Sequence, residues 1–119
     1  MIRMIQPGEK GVDFSYAKPP PARLIELGYT FAVGYVSPNK SKNVPKEWCD
    51  EYLRLGGAML LVWEIAAETP NQGRPKGLLD GAEAHRQAHA LGYPEDAPIL
   101  IAVDTNTTAA LAPAHEAYC

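Results

Sequence analysis

The chain has 119 residues, 46% hydrophobic and 21% charged, a balance that suits one globular domain and excludes wholesale disorder or a low-complexity polymer. Its net charge of −3, from 14 acidic residues against 11 Lys plus Arg, lacks the basic excess of a nucleic-acid binder. The longest apolar runs, residues 58–63 and 97–103, fall short of the roughly 18 residues that cross a bilayer, and residues 1–10 show no apolar signal-peptide core.

After an N-terminal extension over residues 1–10, residues 11–16 (GVDFSY) predict a strand. A run of three prolines, Pro19 to Pro21, breaks it. Residues 22–27 predict a short helix with proline in its first turn and Gly28 as its stop. Residues 30–37 (TFAVGYVS) read as a second strand and residues 38–44 as a polar loop. Residues 45–55 predict a helix, with Trp48, Tyr52 and Leu55 at i, i+4 and i+7. Residues 58–64 (AMLLVWE) are apolar enough for a strand buried on both faces. A loop rich in Pro and Gly follows over residues 65–76. Residues 77–91 predict a third helix, with Gly81, Ala84, Ala88 and Leu91 along one small-residue stripe. Residues 98–104 (PILIAVD) read as a fourth strand, and Thr105 to Thr108 as the cap of a helix starting near Ala109.

Three of these helices end in Leu-Gly: Leu27-Gly28, Leu55-Gly56 and Leu91-Gly92. Each needs a left-handed residue before the next strand. Strands separated by helices run parallel, so the expected fold is α/β, with parallel βα repeats in TIM-barrel-like order. Four units make half a barrel, since a whole one needs roughly 250 residues. Half a barrel leaves two sheet edges open, which invites pairing with another chain.

Ligands of such sheets gather at the C-terminal ends of the strands. Three of the four predicted strands finish with an acid there: Asp13, Glu64 and Asp104. Converging carboxylates serve as general acid, general base or nucleophile, because crowding separates their proton affinities. Glycoside hydrolysis is the reaction most often run by such a set. Tyr16, Tyr35 and Trp63 lie close to these acids in sequence, and aromatic faces suit sugar rings. For Asp104 the plainer reading is an N-cap of the following helix. Asp13 and Glu64 fit capping poorly.

Other features carry less. His85 and His89 stand at i, i+4, a spacing that ligates zinc, but Arg86 takes the place of the glutamate of a metalloprotease, and both read as outer-face residues. Lys40, Lys42 and Lys46 read as a solvated basic loop. His115 shows no partner. Cys49 and Cys119 form neither a disulfide framework nor a metal spacing. No Gly-rich phosphate loop follows any strand, which argues against a nucleotide-binding sheet. Nothing in the pattern calls for a cofactor.

The ordered set GVDFSY, GYVSPN with KNVPKEW, VWE, AHALGYP and PILIAVD resembles the glycoside-hydrolase-like barrel domain of actinobacterial secreted proteins and phage lysins. That domain is similar in turn to the family 25 muramidases, which cut peptidoglycan. The resemblance covers residues 11 to about 112 and implies an incomplete domain over residues 11–119. It implies a barrel with an acidic pocket made by Asp13, Glu64 and Asp104 and lined by Tyr35, an extracellular or phage-associated setting, and a cell-wall polysaccharide as partner. The muramidases carry Asp-x-Glu where this chain has Asp104-Thr105-Asn106, so Asn106 stands as a substrate-binding amide. Glu64 then becomes the expected proton donor, beside Trp63 in a partly dry pocket, with Asp13 or Asp104 stabilising charge or activating water. The alternative is a non-catalytic carbohydrate-binding or structural module of a phage or envelope protein.

Overall fold

The computed structural model of the chain describes residues 3–119. Strands β1 (Lys10–Asp13), β2 (Tyr29–Val36), β3 (Ala58–Trp63) and β4 (Ile99–Ile101) form one sheet in chain order, with every neighbouring pair parallel. Helices α1 (Pro21–Glu26), α2 (Lys46–Arg54) and α3 (Gly73–Ala90) make the crossovers, and α4 (Ala112–Tyr118) follows β4. This is the α/β order that the sequence predicts. The three Leu-Gly stops hold too: Gly28, Gly56 and Gly92 have φ of 86°, 94° and 80°, the left-handed region open to glycine.

Boundaries differ where side chains supply what a local pattern cannot show. β1 ends at Asp13, because the chain bends over residues 15–17 toward the prolines. β4 keeps three residues, so Asp104 lies three positions past its end. α3 begins at Gly73, four residues early, led in by a 3₁₀ turn over Thr69–Gln72. Pro75 sits in its first turn, where the missing N–H has no partner to lose. α4 starts at Ala112, because a turn comes first: the Thr108 carbonyl accepts from the N–H groups of Leu111 (3.1 Å) and Ala112 (2.9 Å).

Strand alternation divides the sheet into two faces. Ala32, Val36, Met59, Leu61 and Trp63 point toward the helices and share a core with Leu24, Trp48, Tyr52, Ala84 and Ala88. Trp48 stacks on Tyr52 at 4.9 Å and meets Phe14 at 4.6 Å. The buried stripe of α3 runs through Asp80, Ala84 and Ala88, while Gly81 is exposed. Asp80 takes the inner position because its charge is satisfied there: Tyr118 donates to Oδ2 (2.6 Å) and Lys76 pairs with Oδ1 (2.8 Å). By register, the other face carries Asp13, Val33, Tyr35, Leu60, Val62 and Leu100, and Leu100 is 44% exposed.

Gly77 sets the approach of α4 to α3. A Cβ there would lie 2.2 Å from the Tyr118 carbonyl oxygen, so Gly77→Ala must push the backbones apart. The expected cost is about 1–3 kcal/mol, read as a lower midpoint in thermal denaturation followed by circular dichroism. A midpoint equal to the parent's would mean that this crossing is loose.

The segment before β1 is strapped to the body. Arg3 donates twice to Glu9 (3.0 and 2.6 Å) and reaches the carbonyls of Thr30 (2.9 Å) and Gly56 (3.3 Å). Thr30 Oγ1 also donates to Glu9 (2.7 Å), and so does the Gln6 N–H. The Arg3 hydrogen bond, then those of Gln6 and Thr30, pull the Glu9 carboxyl down from 4.5 to about 2. A depressed acid stabilises the fold above its unfolded value and stops doing so as pH falls through the folded one. Part of the acid sensitivity between pH 4.5 and about 2 is therefore expected to vanish in Glu9→Gln, as measured by urea midpoints across that window. Parallel pH curves for the two proteins would remove Glu9 from the account.

Candidate active site at the strand C-termini

Asp13 ends β1 on the face opposite the helices, level with Val33 of β2. Two residues further along β2, on the same face, stands Tyr35. Glu64 follows the last residue of β3, and Asp104 lies beyond β4. Burial raises the pKa of the Tyr35 phenol, and the charges of Asp13, Glu64 and Asp104 raise it further. The hydroxyl therefore stays a protonated donor. Asp13 and Asp104 are exposed and Glu64 is half-buried, so the group forms an open shelf rather than an enclosed pocket. The capping role considered for Asp104 is absent, since α4 begins eight residues later.

Trp63 does not join this group. It is 1% exposed, faces the helices, and donates from Nε1 to the Tyr118 hydroxyl at 3.2 Å. Consecutive strand residues point to opposite faces, so adjacency to Glu64 in sequence places Trp63 on the far side of the sheet. The sugar-contacting role and the dry wall beside Glu64 expected of it are both corrected. Tyr16 is 63% exposed, its hydroxyl accepting from Asn39 Nδ2 at 3.1 Å at the edge of the loop over residues 38–44. Asn106 is exposed on the loop after Asp104.

Lys42 is the site residue that the sequence hides. In place of a solvated loop lysine, the structure has a side chain only 12% exposed whose ammonium pairs with Glu64 and lies 4.5 Å from the centroid of the Tyr35 ring. Its loop is braced from several sides. Ser37 Oγ donates to Asn43 Oδ1 (2.8 Å), Asn43 Nδ2 donates to the Ser37 carbonyl (2.7 Å), and the Gln87 amide reaches over from α3 to the same carbonyl (2.9 Å). Lys18 donates to the carbonyls of Ser41 (3.0 Å) and Lys42 (3.3 Å). Burial lowers the pKa of Lys18.

His115 is the second residue that sequence reasoning leaves without a partner. It is 5% exposed; Nε2 donates to Asn71 Oδ1 (2.6 Å) and Nδ1 meets Thr107 Oγ1 (2.8 Å). It ties the segment after β3 to the loop after Asp104. His85 and His89 are both exposed on α3. Among the described residues, no group of three or more His, Cys, Asp or Glu is placed to share a metal ion. Two cavities, of about 490 and 560 Å³, lie away from the acids, one between the loop over residues 38–44 and α3, the other at the N-terminal ends of β2 and β3.

Among solved structures, the fold is similar to the Mycobacterium tuberculosis Tat-secreted protein Rv2525c in complex with L-tartrate. That match has a TM-score of 0.73 at 17% identity and covers 81% of this chain and 52% of that one. The same protein in complex with HEPES matches with a TM-score of 0.77 at 17% identity, over 89% of this chain and 60% of that one. The chain therefore spans little more than half the length of the solved chains it matches. No curated protein matches it. The family model described as Rv2525c-like, glycoside hydrolase-like domain matches residues 22–116, most of the chain and every element from α2 to β4. The parallel βα order and this match agree: the chain belongs to the Rv2525c-like, glycoside hydrolase-like domain family.

Proposed function

We propose that the shelf formed by Asp13, Glu64 and Asp104 cleaves glycosidic bonds of a bacterial cell-wall glycan, peptidoglycan being the expected polymer, with a muramidase-like division of labour among the carboxylates. The observation that carries this reading is the meeting of Glu64, Lys42 and Tyr35 at the C-terminal end of the sheet, on the face where Asp13 ends β1. In such a reaction one acid protonates the glycosidic oxygen while another stabilises the oxocarbenium-like centre or activates water. Tyr35 offers a hydrogen-bond donor between them, and Tyr16 and Asn106 offer exposed contacts for further sugar units. Export from the cytoplasm fits the substrate, and the solved neighbours are Tat-secreted. The open edges of β1 and β4 are where a second copy would pair.

The test is an incubation of the purified 119-residue chain with bacterial cell-wall polysaccharide, following new reducing ends and fragment masses. Reducing ends that grow with time support the reading. Polysaccharide retained by the chain but left uncut would make it a binding module.

A further inference from the structure

We infer that Lys42 is a positioning residue of this site: its ammonium, clamped between the Glu64 carboxylate and the Tyr35 ring, holds Glu64 in place as the standing anion rather than the proton donor. The inference rests on the glycosidase reading above and deepens it. It also reverses the assignment that sequence suggests, in which Glu64 is the donor.

Three observations carry it. First, the pair is shielded, with side-chain exposures of 12% for Lys42 and 19% for Glu64, so salt and water weaken it less than a surface pair. Without the Glu64 charge, the half-buried ammonium would lose its partner. Second, the wall that would favour a neutral Glu64 is missing, because Trp63 lies on the other face. Third, the loop is built to aim this lysine. Its N–H donates to the Asn39 carbonyl at 3.0 Å, the Ser41 N–H donates to Asn39 Oδ1 at 3.1 Å, and Val44 returns to the Tyr35 carbonyl at 3.0 Å. Val44 is buried and anchors the far end. A lysine that merely solubilised the loop would need none of this bracing.

A fixed anion beside the sugar ring works mainly in the transition state, when positive charge develops at the anomeric carbon. Losing its alignment should therefore lower kcat more than it raises KM. The experiment compares the parent chain with Lys42→Met, Lys42→Arg and Glu64→Gln. One arm measures reductive methylation of each lysine by mass spectrometry and needs no turnover. Lys42, shielded and paired, should label about tenfold more slowly than exposed Lys40 in the parent and clearly faster in Glu64→Gln, where only a neutral amide oxygen is left to hold it. The other arm measures cell-wall glycan cleavage. Lys42→Met should lose at least about tenfold in kcat with KM within about threefold, and Lys42→Arg should recover most of that loss. Fast labelling of Lys42 in the parent overturns the inference, and so does a Lys42→Met protein that cleaves like the parent; the glycosidase reading survives both. A parent that cleaves nothing removes the glycosidase reading and the kinetic role with it. Slow labelling that Glu64→Gln releases would then still uphold the clamp.

Discussion

Trp63→Ala is expected to cost the fold about 3–5 kcal/mol, a large part of the 5–15 kcal/mol that holds a typical domain together. Trp63 is among the largest fully buried side chains, at the end of β3 where the sheet meets α3 and α4. Its removal opens a cavity at that junction. It also takes the indole N–H away from Tyr118, whose own hydroxyl donates to buried Asp80. Burial, followed by the bond to Asp80, raises the Tyr118 pKa, so this hydroxyl remains a donor throughout the neutral range. Trp63→Phe keeps most of the volume and should cost clearly less. Urea unfolding of the three proteins decides the matter. A Trp63→Ala midpoint close to the parent's would mean that the indole does little for the core, as a sugar-contacting residue would.

Glu64→Gln is expected to lower glycan cleavage by at least about a hundredfold while the fold persists. The substitution preserves size and leaves an amide oxygen to accept from Lys42, but the charge is gone. The pair is largely shielded, so losing the charge should also lower the unfolding midpoint, by about 1–3 kcal/mol, without unfolding the chain. Glu68→Gln is a suitable control, since Glu68 is exposed a few residues downstream. Equal cleavage by the Glu64 and Glu68 variants would take Glu64 out of the reaction.

The two results would separate neighbours in sequence that the fold sends to opposite faces. Hydrophobic runs broken by Leu-Gly stops were enough to predict four parallel βα units, because each run can bury itself only against the next. That parallel strands deliver their C-termini to one side was equally legible; the structure ends β1 at Asp13 and puts Glu64 one residue past β3 and Asp104 three residues past β4. Position along a strand was read less well. Trp63 and Glu64 looked like partners because they are adjacent, and the period of two separates them.

Lys42 and His115 were illegible for another reason. A lysine in a polar loop and a histidine near a helix end have no local pattern that reveals a partner. Glu64 lies 22 residues from Lys42, and Asn71 lies 44 residues from His115. Composition and periodicity by themselves determined the layer order and the direction of the strands, because burial of alternating apolar segments acts along the chain. Only the tertiary structure decided that Glu64 pairs with Lys42, that Trp63 belongs to the core and that Asp80 is buried, because these depend on charges and hydrogen bonds meeting across distant elements.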